Sequence, residues 1–144
     1  MACPFFFPLE PMDHRRWPGR PESPLGDGFV GECRAESAAA LTPEDSIQKE
    51  FCNFGYPGGC PHFPERHPYQ AVRFAMIHDK NGRMVASYIL EDNHRPYMHG
   101  ELVFNVTTRQ IENPHSDSII HRQSTCYFES FLRKKPAVRP SPGS

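Results

Sequence analysis

Apolar and polar positions alternate most regularly between Val72 and Thr108. Val72, Phe74 and Met76 are separated by Arg73 and Ala75, and the run ends on Asp79-Lys80-Asn81-Gly82, whose Asn-Gly pair tolerates the positive φ of a two-residue hairpin turn. With Asn81 and Gly82 as the turn, His78 is expected opposite Val85, Met76 opposite Ser87 and Phe74 opposite Ile89, so that these side chains share a face. Ala75, Ile77, Met84, Ala86, Tyr88 and Leu90 then take the other face, which is apolar enough to need partial cover. A loop containing Pro96 and Gly100 separates the hairpin from a third strand, Glu101 to Thr108, where Leu102, Phe104 and Val106 alternate. The pattern predicts a small antiparallel sheet.

The period changes from Ser116 onward. Ile119, Ile120, Tyr127, Phe128, Phe131 and Leu132 form one broad apolar stripe at helical spacing, and Arg133, Lys134 and Lys135 stand where cations suit the end of the helix dipole. This predicts a helix over 116–134, packed on the sheet. Upstream, Thr42-Pro43-Glu44-Asp45 combines a capping hydroxyl, a proline at the first helical position and acidic residues in the first turn. A short helix is therefore expected near residue 43, over 43–53, with Ile47 and Phe51 on one face. Gly55 to Pro64 holds three glycines and three prolines and reads as a shaped loop.

Residues 1–41 carry Pro4, Pro8, Pro11, Pro18, Pro21 and Pro24 and the turn signal Gly26-Asp27-Gly28, which argue for an extended, irregular arm. Phe5, Phe6, Phe7, Trp17, Leu25, Phe29 and Val30 are too apolar for a solvated linker, so the arm is expected to lie on its own core or on a partner. Pro136 to Ser144 has three prolines and only Val138 as a bulky apolar residue, and is expected to be a disordered tail. The expectation is one α+β domain over 42–135, preceded by the arm and followed by the tail.

Composition narrows the function classes. The 144 residues fit one modest domain, with 38% apolar and 23% charged positions, and 16 prolines plus 10 glycines make about 18% of the chain, below the level of a wholly disordered sequence. A formal charge of −1 provides no global field toward nucleic acid or an anionic membrane. No apolar run approaches membrane-spanning length, and Met1 to Pro8 is too short and too interrupted by proline for a secretory leader. Membrane insertion is thus not expected, and the expected compartment is cytoplasmic. Thiols stay reduced there, so the five cysteines are read as thiols or metal ligands rather than a disulfide framework.

Cys126 falls on the predicted helix and is expected to be a core residue. Cys3, Cys33, Cys52 and Cys60 lie in the irregular first part of the chain, spaced by 29, 18 and 7 residues. Four thiolates suit either a tetrahedral zinc or an iron–sulfur cluster, but no C-x2-C knuckle is present to form zinc's usual compact chelate. A cluster is larger than one ion, accepts ligands from separated loops, and gains from backbone amides that donate to its sulfurs, a role open to Gly31 and Gly58-Gly59. Cys52 lies near the end of its predicted helix, the unfavourable end of the dipole for a thiolate. The leading expectation is a small iron–sulfur electron-transfer protein, or an accessory subunit of a larger redox complex. Its ligands are Cys3, Cys33, Cys52 and Cys60, its cluster [4Fe–4S] rather than [2Fe–2S], and Phe5, Phe51, Phe54, Tyr56 and Phe63 exclude water around it. The alternative is a non-catalytic protein-interaction module, stabilised by a structural zinc or by no metal, whose arm wraps a larger protein subunit.

Other constellations are thinner. The C-x7-C gap from Cys52 to Cys60, with His62 and His67 nearby, resembles that of CCCH zinc fingers, but Arg66 stands where the third cysteine belongs. Glu91-Asp92-Asn93-His94 with His99 offers oxygen and nitrogen ligands on an expected inter-strand loop, more often simply solvated. Phosphate-binding glycine loops, G-x-S-x-G and H-E-x-x-H are missing from the sequence, so the chain is not expected to be an enzyme by itself.

Overall fold

Asn81 and Gly82 take φ of 57° and 74° and join β3 (Ala71–Lys80) to β4 (Arg83–Asp92). The first pairs, Lys80 with Arg83 and His78 with Val85, follow the expected register. Beyond them a bulge at Ile77 overturns it, pairing Met76 with Ala86, Phe74 with Tyr88 and Val72 with Leu90. The physical reason is burial. In an unbroken register the stripe Val72, Phe74, Met76 and the stripe Met84, Ala86, Tyr88, Leu90 would face opposite sides; one extra residue in β3 turns both toward the same side. Ile77 is left 47% exposed.

The computed structural model describes residues 2–12, 24–35, 42–54, 60–61, 63–64 and 69–134. The chain is α+β, and its described residues form two antiparallel sheets, one of two strands and one of four, the latter in the order β3, β4, β5 (Arg95–Asn105), β6 (Gln110–Ile111). Asn93 and His94, at φ 51° and 62°, form a second tight turn, so β5 runs from Arg95 to Asn105 rather than beginning at Glu101. Pro96 and Gly100 therefore lie inside a strand and not in a loop. Pro96 sits beside a register shift, on an outer edge that β6 (Gln110–Ile111) reaches only at Phe104 and Asn105, where a missing N–H is tolerated. Gly100 pairs with Tyr88, and a Cβ on it would come within 2.5 Å of the tyrosine hydroxyl, so glycine makes room for the ring.

The long helix α2 (Ser118–Lys134) starts after Asp117, whose Oδ1 accepts from the N–H groups of Ile119 (2.8 Å) and Ile120 (3.3 Å). Its Phe128 stacks on Phe104 with ring centroids 5.0 Å apart, closing a core with Met84, Ala86, Leu102 and Ile111.

Part of the N-terminal arm is regular after all. β1 (Phe6–Pro11) pairs antiparallel with β2 (Phe29–Cys33), matching Phe6 to Cys33 and Pro8 to Gly31, with a register shift between Pro8 and Glu10. A two-stranded ladder leaves each strand an outer edge, so Pro8 and Pro11 interrupt fewer bonds than in a central strand. The described part of the arm packs on the chain's own core, with Ala2, Phe6 and Leu25 fully buried. α2 fastens it: Arg122 Nε donates to the Pro8 carbonyl (2.6 Å) and Gln123 Nε2 to those of Cys3 (2.7 Å) and Phe6 (2.8 Å). Trp17 and the expected tail 136–144 lie outside the described residues.

The short helix α1 (Asp45–Ile47) begins two residues later than its signal, after Glu44, and without a side-chain cap. It widens at once into a π-helical stretch, Gln48–Phe54. Among the described residues no helix is long and apolar enough to cross a membrane.

Candidate functional site

Four segments deliver the four N-terminal cysteines. Ala2 exchanges two backbone hydrogen bonds with Val72 (2.8 and 2.9 Å), and the next residue, Cys3, donates its N–H to the carbonyl of Cys52 (3.2 Å). Pro4 has no N–H, but the backbone amides of Phe5 and Phe6 both hydrogen-bond to the Cys3 side chain. Cys33 ends β2, and the amide of Ala35 serves its sulfur in the same way. Cys60 begins a turn in which the Phe63 N–H donates to its carbonyl (3.0 Å).

Cys52 is placed by its neighbours Gln48 and Asn53, five positions apart on the π-helical stretch and both buried. Asn53 Oδ1 accepts from the Phe29 N–H (2.8 Å) while its Nδ2 donates to the Phe29 carbonyl (2.9 Å) and to that of Gln48 (2.8 Å). Gln48 Oε1 accepts from the Gly31 N–H (3.0 Å), and its Nε2 donates to the Pro43 carbonyl (2.7 Å). Two amide side chains thus bond alternate residues of β2 as a third strand would. The wide helical turn aligns positions i and i+5, which a regular α-helix does not.

Cys3, Cys33, Cys52 and Cys60 line one pocket, walled by Phe5, Phe51, Phe63 and Pro43. Its cavity is about 10 Å³, roughly what one water molecule needs. The four residues line this space, and among the described residues no three His, Cys, Asp or Glu side chains form a group set to hold a metal ion. None of the five cysteines is in a disulfide. Cys3, Cys33 and Cys52 are buried at 6, 6 and 4% exposure, and Cys60 is half-buried.

Burial pushes the Cys3 thiol up to about 12 against the pull of the Phe5 and Phe6 amides, with charge on Cys33 or Cys60 adding to the rise. Cys52 is pushed well above the ordinary thiol range, by burial first and then by its three sulfur neighbours, and burial raises Cys33 as well. Cys3, Cys33 and Cys52 therefore hold neutral thiols unless a cation replaces their protons, so metal uptake by them would release acid.

The structure brings together the four cysteines that the sequence singles out, and it places Phe5, Phe51 and Phe63 around them. Gly31 is a correction: its amide serves Gln48 rather than a sulfur, and the sulfur-directed amides are those of Phe5, Phe6 and Ala35. Gly58-Gly59, Tyr56, His62, His67 and the Phe54 side chain lie outside the described residues. Cys126 is 2% exposed on α2, in the core, where burial raises its thiol to about 11. Glu91 is buried against Arg73 (3.1 Å), His94 belongs to the tight turn and His99 is exposed on β5, so this set stands apart from the pocket. Gln48, Asn53 and Gln123 are the supporting residues that sequence reasoning missed. Nothing in a helical or strand period marks a buried amide side chain that bonds a distant backbone. No protein-family model, curated protein or solved structure matches this chain.

Proposed function

We propose that this chain is a small iron–sulfur protein, acting in one-electron transfer alone or as an accessory subunit of a larger redox complex, with Cys3, Cys33, Cys52 and Cys60 holding a [4Fe–4S] cluster. One observation carries the reading: four cysteines from four separate segments line a single apolar pocket, and backbone amides are aimed at two of their side chains. Amide donation to sulfur steadies anionic thiolates and tunes the potential of a cluster. The donor set fits the group in kind, four cysteines on an otherwise apolar lining, while the cavity of about 10 Å³ holds one water and not an eight-atom cluster core, so loading requires the pocket to open.

When bound, the cluster supplies the reversible one-electron chemistry. The chain supplies thiolate ligands, the amides that offset their charge, and the Phe5, Phe51 and Phe63 rings that limit water. In this reading the protein works in the cytoplasm, and a larger subunit meets the outer side of the arm, where Leu9 is 46% exposed.

Anaerobic reconstitution of the full chain with iron and sulfide tests the proposal. The expected product is brown, with about four iron and four acid-labile sulfide per chain, and bleaches on reduction. A colourless protein holding one zinc per chain would replace it with the zinc-stabilised interaction module, and a chain that takes up neither metal would end both metal readings and leave the module without metal.

A further inference from the structure

We propose that the cleft between the β5–β6 turn and helix α2 binds a small carboxylic acid with an apolar body. It shares no lining residue with the cysteine pocket, and the proposal depends on no metal. Three segments build it: Arg109, Gln110 and Ile111 from the turn and β6, Pro114 from the connection, and His121 and Thr125, one helical turn apart, from α2. The cavity is about 310 Å³, at the lower end of the range for small-molecule sites.

Arg109 takes φ of 60°, the left-handed conformation that glycine or asparagine adopts with less strain where a hairpin turn re-enters its strand. The turn is fastened around it. Asn105 Oδ1 accepts from the N–H groups of Thr107 (2.9 Å) and Thr108 (3.1 Å), and the Arg109 N–H donates to the Asn105 carbonyl (2.8 Å). The backbone that carries the arginine is thereby fixed beside the cleft. No carboxylate lines the cavity, and the acidic side chains nearest along the chain are engaged elsewhere, Glu112 with Arg83 (2.7 Å) and Asp117 with Tyr69 (2.7 Å) and the start of α2. Among the described residues the Arg109 guanidinium and the His121 imidazole have no hydrogen-bond or ionic partner.

These donors select the ligand. Arg109 offers a planar fork that fits a carboxylate through two parallel bonds, His121 carries at least one ring N–H, and Gln110 adds a side-chain amide. The backbone amides that phosphate sites exploit at helix N-termini and glycine loops are missing from α2's share of the lining, where the His121 N–H is spent on the Asp117 carbonyl (2.9 Å). A single permanent cation matches a single negative charge, and Ile111 and Pro114 supply the apolar surface for the rest of the molecule.

Titration of the isotope-labelled full chain, followed by its amide chemical shifts, tests this with phenylacetate, its uncharged amide and phenyl phosphate. Phenylacetate is expected to shift the amides of Gln110, Ile111, His121 and Thr125 saturably, with Kd about 1 mM. The uncharged amide, or the variant Arg109→Gln, is expected to bind about tenfold or more weakly, while Arg95→Gln, at an exposed position of β5 outside the cleft, leaves Kd unchanged. Shifts that do not saturate by about 20 mM, equal binding of the uncharged amide, or an Arg109→Gln variant that binds like wild type overturns the proposal. Tighter binding of phenyl phosphate than of phenylacetate overturns the ligand class.

Discussion

The sheet–helix half of the molecule and its cysteine half are held together by different chemistry. Around Phe104 and Phe128 the strands β3 to β5 and helix α2 bury an apolar stripe each, and the residues involved, such as Met84, Ala86 and Leu102, carry no polar group to satisfy. Around Cys3 and Phe29 regular structure is scarce, and amide side chains take over the pairing of backbone groups: Asn53 and Gln48 for β2, Gln123 for β1. The first arrangement tolerates any well-shaped apolar side chain. The second depends on particular atoms at particular distances. A fold can therefore be robust in one half and conditional in the other.

The largest effect belongs to the robust half. Phe104→Ala removes a ring stacked at 5.0 Å on Phe128 and fully buried, which costs about 4 kcal/mol in urea unfolding. The loss is expected to be the same with and without iron. A loss that depends on metal would mean the two halves do not differ as described.

Next in size is Asn53→Ala, which strips the Phe29 N–H, the Phe29 carbonyl and the Gln48 carbonyl of a partner inside the protein. At about 1 kcal/mol for each lost bond the cost is about 3 kcal/mol. Native-state hydrogen exchange sharpens the comparison. The Phe29 and Gly31 amides should lose protection, while those of Met84 and Ala86 in β4 keep theirs. Equal loss in both sets would show one cooperative unit and erase the distinction between the halves.

The contrast also explains what the sequence could and could not disclose. The hairpin, the helical stripe from Ile119 to Leu132 and the antiparallel sheet were legible because hydrophobic burial leaves a period in the sequence. The register beyond His78 was not, because a bulge at Ile77 leaves no period of its own and is required only by which side of the sheet the helix covers. Pro96 misled in the same way: a proline reads as a loop unless it is known to lie on an outer edge. In the cysteine half, residue type did the work. Four thiols among turns suggested a common site, and they do share a pocket. The amides of Phe5, Phe6 and Ala35 that serve two of the sulfurs were invisible, since every residue but proline has an N–H and its direction is a property of the folded backbone.

The smallest effect tests the seam between the halves. Tyr69, buried in the core that holds Cys3 and Cys52, donates its hydroxyl to Asp117 Oδ2 (2.7 Å), and the other oxygen of Asp117 caps α2. Burial, then the hydrogen bond and charge of Asp117, raise the tyrosine well above its ordinary value of 10.0. The folded protein thus keeps this proton at a pH where the unfolded chain has released it. The stabilisation from Tyr69 is complete below about pH 10 and is lost as pH rises from there toward the folded value. Tyr69→Phe gives up the hydrogen bond, at about 1 kcal/mol near neutral pH, but has no proton to lose. Urea midpoints measured from pH 7 to 11 should show the variant below wild type at first and the two curves converging above pH 10. Curves that stay parallel would mean that this hydroxyl does not couple the cysteine half to the cap of α2, and that the seam is held by apolar contact alone.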